Sequence, residues 1–278
     1  IATALKQLLA NIPGYFQHID NPEYLHQIRV ALRRMRSGLS LLQSTEQPIA
    51  ISWDKSLRKI MQKLNEARDW DVFEHEILPD ILKKMTSVSE YEPIQQATLA
   101  TIQDIAIKTR QRTQKKLHHI EFTVLILAIE RHLMALSSHT EMTTKEHIQQ
   151  WATKILEDRW QVLHRCCQGL TTQTGAKRHQ ARIAAKKMRY AADTLFSLFN
   201  RKNPQRFTEM LANLQDELGY TNDRRVALQL LQQVAQKKGS AAFDLGRFSG
   251  TLEIETLQRE HQSSDAWRSL SRMKLFWR

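Results

Sequence analysis

An eleven-residue segment, a histidine followed by a spaced row of basic residues, occurs twice in this chain and limits the folds open to it. The first copy is His26-Gln27-Ile28-Arg29-Val30-Ala31-Leu32-Arg33-Arg34-Met35-Arg36. The second is His179-Gln180-Ala181-Arg182-Ile183-Ala184-Ala185-Lys186-Lys187-Met188-Arg189. Six of the eleven positions are identical, and the others are conservative or small-for-large apolar exchanges. An offset of 153 in a 278-residue chain describes two versions of one unit, with charge spacing kept as well as apolar spacing. A second match supports the duplication. Leu64-Asn65-Glu66-Ala67-Arg68-Asp69-Trp70-Asp71-Val72 aligns with Leu218-Gly219-Tyr220-Thr221-Asn222-Asp223-Arg224-Arg225-Val226 at an offset of 154. The repeats cover 1–138 and 145–278, with the small polar stretch Ser137 to Thr144 as the linker.

The unit that repeats is helical. Eight Gly and six Pro supply little of the punctuation a β fold needs, and no segment shows period-two alternation. Abundant Ala, Leu, Gln, Lys and Arg favour helices, so the chain reads as all-α. Apolar spacing predicts helices over 4–16, with Pro13-Gly14 interrupting or bending the first, and over 22–43, opened by Asp20-Asn21-Pro22-Glu23. Further helices are expected over 53–85, bent or divided at Pro79, and over 93–119 and 122–136. In the second half they are expected over 151–163, 176–199, 207–218, 223–237 and 243–278.

At 100° per residue, His26, Arg29, Arg33 and Arg36 fall within an arc of roughly 80°, forming a ladder about 15 Å long. Leu25, Ile28, Leu32, Met35, Leu39 and Leu42 form the apolar stripe, centred about 110° away. The second copy sets His179, Arg182, Lys186 and Arg189 beside Ala181, Ala185, Met188, Ala192 and Leu195. Charges that only keep a helix soluble centre opposite the core. These run along the edge of the stripe, where neighbouring helices form a groove, and cations there need a counter-charge. Internal acids such as Asp69, Asp71 and Asp223, read as arginine-orienting partners, are one source; an anionic ligand is the other. The acids in these segments are too few for ten basic or histidine positions, which favours a polyanion.

The net charge of +12 points the same way, to nucleic acid, an anionic membrane or free phosphate polymers. A third row, Lys108, Arg112, Lys115 and His119, either widens the groove or is a solvated face. Tyr190 has no counterpart in the first half, where Ser37 stands, and is a core residue or a hydroxyl donor. No metal site is expected, since three cations on one face disfavour a divalent ion, and no cofactor motif is visible. The longest apolar stretch, Phe122 to Ile129, is too short to span a bilayer. The adjacent Cys166 and Cys167 read as reduced thiols in a cytoplasmic setting, because a vicinal disulfide is strained. The chain opens at Ile1 rather than Met, which leaves room for a removed leader or an upstream domain.

His26-x-x-Arg29-x-x-x-Arg33-Arg34-x-Arg36 and His179-x-x-Arg182-x-x-x-Lys186-Lys187-x-Arg189-Tyr190 resemble the paired signatures of the CHAD family, the conserved histidine α-helical domains. Arg68-Asp69-x-Asp71-Val72 and Leu214-Gln215-Asp216-x-Leu218-Gly219-x-x-Asn222-Asp223 resemble its second motifs, so the likeness covers essentially the whole chain. The resemblance implies one domain over 1–278, made of two four-helix-bundle-like halves related by a pseudo-twofold axis. It implies a central basic groove or pore that binds inorganic polyphosphate without catalysis, and residence in the cytoplasm or on polyphosphate granules. Partners it implies are a triphosphate-tunnel (CYTH) domain or polyphosphate-metabolising proteins, and no membrane. Carried over by position, the ligand-facing residues are the two ladders plus Arg34 and Lys187. Leu64-Asn65 departs from the family's usual Leu-Gly, a change expected to affect a turn more than the groove.

Two other readings stand beside this one. A nucleic-acid-binding protein would carry the same charge, although neither ladder is interleaved with aromatics for base stacking. A phosphohydrolase using His26 and His179 would need a nucleophile, a phosphate loop or a carboxylate cluster, and none is evident in the sequence.

Overall fold

Apolar positions recur every three or four residues along this chain, and each run closes into a helix whose stripe leaves water by packing on another helix. A computed structural model describes residues 1–42, 51–85, 92–118, 120–137, 145–170, 175–199, 204–237, 242–259 and 261–278. Every regular element among the described residues is helical, as expected for an all-α chain. In order, α1 is Ala2–Gln17, α2 Pro22–Leu42, α3 Ile51–Val72, α4 Leu78–Lys84, α5 Glu92–Leu117 and α6 Ile120–Ser137. They are followed by α7 Lys145–Cys167, α8 Gly175–Leu195, α9 Pro204–Lys237, α10 Ala242–Arg259 and α11 Gln262–Ser271.

Local chemistry explains most boundaries. Asn21 Oδ1 accepts the backbone N–H of Glu23 at 3.0 Å, and Pro22 opens α2 where its missing N–H costs nothing. The expected division near Pro79 is a five-residue π-helical turn, Phe73–Ile77, between α3 and α4. Pro79 sits in the first turn of α4, again where no N–H is needed. The helix expected over 243–278 is two, α10 and α11. Of the two ways Pro13-Gly14 could act, interruption does not occur, since α1 runs through it, and α9 is a single helix where the spacing suggested two. In both cases packing on a neighbouring helix outweighs the local cost of Pro or Gly.

Gly14 shows this packing directly. A Cβ built there would run into the ring of Tyr24, the residue on which His18 stacks at 5.9 Å. Gly14→Ala is therefore expected to destabilise the protein by about 1–3 kcal/mol, as overpacking does. Chemical denaturation would check this, and an unchanged midpoint would count against close packing of α1 on α2.

The chain divides into two compact units, 1–140 with 225–252 and 141–224 with 253–278. Their boundary is thus not that of the sequence repeat. In the first unit, Leu25, Ile28, Leu32 and Met35 of α2 are fully buried against α1, α3 and α6, including Leu8, Leu57 and Leu64. Its second core joins Trp70, Phe73 and Ile102 to Leu231, Val234 and Phe248 from the later segment. Thr98 also donates to the buried Asp244 at 3.0 Å.

In the second unit, α7 packs along the alanine-rich stripe of α8, where Ala181, Ala185, Met188 and Ala192 are buried. Trp160, Phe207, Phe276 and Trp277 form an aromatic cluster with edge-on contacts such as 4.9 Å between Phe276 and Trp277. Glu157 secures the last residues, accepting from Trp277 Nε1 at 3.2 Å and from Arg278 Nε at 2.9 Å. The hydrogen bonds from Arg278 lead the causes that bring Glu157 down to about 2. Burial pushes the Cys167 thiol up to about 12. No helix among the described residues is long and apolar enough to cross a membrane.

Candidate functional site

Burying the α2 stripe leaves the histidine ladder on the side of that helix that meets α3, within the first unit. Arg29 donates through Nη1 to Asn65 Oδ1 at 2.6 Å and lies 3.4 Å from the Met61 carbonyl. Arg36 grips Asp54 with two parallel bonds, Nε to Oδ1 at 2.7 Å and Nη2 to Oδ2 at 3.2 Å. Arg33 Nε donates to the Arg29 carbonyl at 3.3 Å, a long bond to its own helix. His26 is half-buried, and its pKa is lowered from 6.5 by burial first and then by Arg68 and Arg33, against the opposing pull of Glu23 and Glu76. A histidine in that setting is a neutral imidazole at neutral pH. Arg34 departs from this row. It is exposed and donates to Gln7 Oε1 of α1 at 2.8 Å.

The acids do not pair as their sequence neighbours suggest. Arg68 bonds Glu76 at 2.9 Å, not Asp69 or Asp71. Asp71 does orient an arginine, but that arginine is Arg110 of α5, at 2.7 Å and 3% exposed. Glu74 also accepts from Arg110. Asp69 is half-buried on α3. In the third basic row, Lys108 holds Asp104 at 2.6 Å, Arg112 stands 3.9 Å from Glu66, and Lys115 is exposed. His119 lies outside the described residues.

In the second unit one contact of the same kind is present. Arg182 on α8 reaches Asp223 on α9 at 3.3 Å, as Arg29 reaches α3. A Cβ added at Gly219 would lie 4.0 Å from Arg182 Nε, an ordinary contact, so this position faces the guanidinium without crowding it. Asn65 is the aligned residue of the first half. It sits inside α3, so the Leu64-Asn65 departure alters the partner of a ladder arginine and not a turn. Arg189 is 3.7 Å from Asp193 one turn on, Lys186 and Tyr190 are half-buried, and His179 and Lys187 are exposed.

Sequence reasoning missed Asp54 and Arg110, and it named Asn65 and Arg68 without their roles beside Arg29 and His26. Arg110 has no counterpart at repeat spacing that would single it out, and Asp54 shows only as an acid in the first turn of its helix. Among the described residues, no three His, Cys, Asp or Glu side chains are grouped to hold a metal ion. The site's chemistry is hydrogen-bond donation by guanidinium, ammonium and imidazole groups, which suits phosphate oxygens.

Comparison with known proteins places the family and the fold. A family model described as the CHAD domain matches residues 1–232. The crystal structure of the CHAD domain from the plant Ricinus communis is similar with a TM-score of 0.80 and 25% identity, covering 98% of this chain and 89% of that one. PptA from Streptomyces chartreusis shares the fold at a TM-score of 0.64 and 16% identity, covering 96% of this chain and 98% of that one. No curated protein sequence matches.

Proposed function

The chain belongs to the CHAD domain family, and from that premise we propose that it binds inorganic polyphosphate without turning it over. The observation that carries this reading is the row of donors on α2, His26, Arg29, Arg33 and Arg36, set along the side of that helix that meets α3. Such a row gains most from a ligand that brings several anionic oxygens at fixed spacing. Each guanidinium offers parallel N–H donors to a phosphate, and Lys186 and Lys187 add point charges on α8. The ligand-facing set is His26, Arg29, Arg33 and Arg36 with His179, Arg182, Lys186, Lys187 and Arg189. A protein with this function belongs where polyphosphate is, in the cytoplasm or on its granules, beside polyphosphate-metabolising enzymes or a triphosphate-tunnel domain.

Competition between polyphosphate and single-stranded DNA of matched charge, at about 150 mM salt, tests the reading. Polyphosphate is expected to win by at least about tenfold, and to weaken steeply as salt rises, because each neutralised phosphate releases counterions. Preference for DNA would replace the proposal with nucleic-acid binding. The same titration carries a pH signature. A bound polyanion reverses the field at His26 and raises its pKa, so the complex takes up a proton. Affinity should therefore increase as pH falls from about 7.5 to about 5.5, and His26→Gln should flatten that rise.

A further inference from the structure

Behind the ladder, on the opposite side of α3, lies a cavity of about 330 Å³ closed by α5 and α6. Ser56, Lys59, Ile60 and Lys63 stand at positions i, i+3, i+4 and i+7, on one face of α3. Asn65 and Arg68, which serve the ladder, point well away from that face on the same helical geometry. The floor is apolar, made of Ile60, Leu117, Phe122 and Leu125. These four keep 5–9% exposure while Leu57 and Leu64 beside them on α3 keep none, so the residual exposure belongs to the cavity wall. Lys59 and Lys63 rise from α3 and Lys116 from the last turn of α5, with Glu121 the one acid among the described lining residues.

Two like charges one turn apart on a helix repel, and here a third ammonium joins them around an apolar floor. An anion at the mouth removes that repulsion, and an apolar body on the anion covers the floor. The volume is at the lower end of small-molecule sites. We propose that this cavity binds a soluble phosphate monoester with a compact apolar body. Its phosphate is held by Lys59, Lys63, Lys116 and the Ser56 hydroxyl, and its apolar part lies on Phe122 and Leu125. The site is separate from the polyphosphate ladders and does not depend on them.

Calorimetric titration with hexyl phosphate is the test. It should bind at one site, at least about tenfold tighter than either inorganic phosphate or hexanol, because charge and apolar area contribute together. Replacing Lys59, Lys63 and Lys116 together by Gln should weaken it by at least about tenfold with the helical circular dichroism unchanged. Leu125→Trp, which fills the cavity and keeps its charge, should block it as well. The ladder variant Arg33→Glu/Lys186→Glu should bind hexyl phosphate as the parent does. Equal affinity for hexyl and inorganic phosphate, insensitivity to both cavity variants, or loss in the ladder variant would each overturn the proposal. So would binding to phosphatidic acid vesicles without binding to hexyl phosphate, since that assigns the lysines to a lipid surface.

Discussion

Arg33→Glu combined with Lys186→Glu is expected to weaken polyphosphate binding by at least about a hundredfold while leaving helical content intact. The choice of residues matters. Changing Arg36 would strip Asp54 of a two-bond partner, and changing Arg29 would orphan Asn65, so either variant mixes binding with packing. Arg33 is cleaner, because its guanidinium donates to a backbone carbonyl of its own helix at 3.3 Å. Lys186 holds the matching position in the second copy. Reversing both removes two cations and sets two anions facing the ligand. Fluorescence anisotropy with labelled polyphosphate measures the loss, and far-ultraviolet circular dichroism the fold. Retained helicity with affinity within about tenfold of the parent would make the ladders structural.

The second large effect falls on stability. Arg110→Ala is expected to cost about 3–5 kcal/mol, because it leaves the nearly inaccessible Asp71 carboxylate without its partner. Glu74 loses the same arginine. Burial already holds Asp71 above its ordinary range, against the pull of Arg110. A carboxyl with a raised folded pKa is best tolerated below its unfolded pKa, and stability is lost as pH rises through the folded value. Removing Arg110 raises that folded value further. The deficit should therefore be largest at neutral pH and shrink as the solution is acidified, as Asp71 takes up a proton. Urea unfolding at several pH values would show it, and a deficit that is small or independent of pH would mean the pair carries little. Arg110→Ala with Asp71→Asn should recover part of the loss.

How far the sequence could be read is clearest at particular positions. The ladder helices were legible because apolar and basic residues share one period, and the structure buries the α2 stripe as that period requires. The start of α2 was legible because Asn21 and Pro22 act within one turn. Pro13-Gly14 misled because its local cost is set against a helix packed through Tyr24, which spacing does not reveal. The ladder's donors could be picked from one helix at a time. Their acceptors could not, since Asp54, Asn65 and Asp223 lie 18, 36 and 41 residues from the arginines they meet. Sequence neighbours instead suggested Arg68 for Asp71, whereas the burial of Arg110 on α5 decides that pair.

The later segment that completes the first unit has a consequence for how the protein is made. Trp70 and Phe73 leave the ribosome early, but Leu231, Val234 and Phe248, which cover them, are among the last third of the chain to emerge. At ordinary rates of translation the wait is on the order of 10 s. Throughout it, two large aromatic side chains have no native partner from that segment. A pause in synthesis before residue 252 would prolong that exposure. The first unit therefore cannot finish folding until the segment 225–252 has been made.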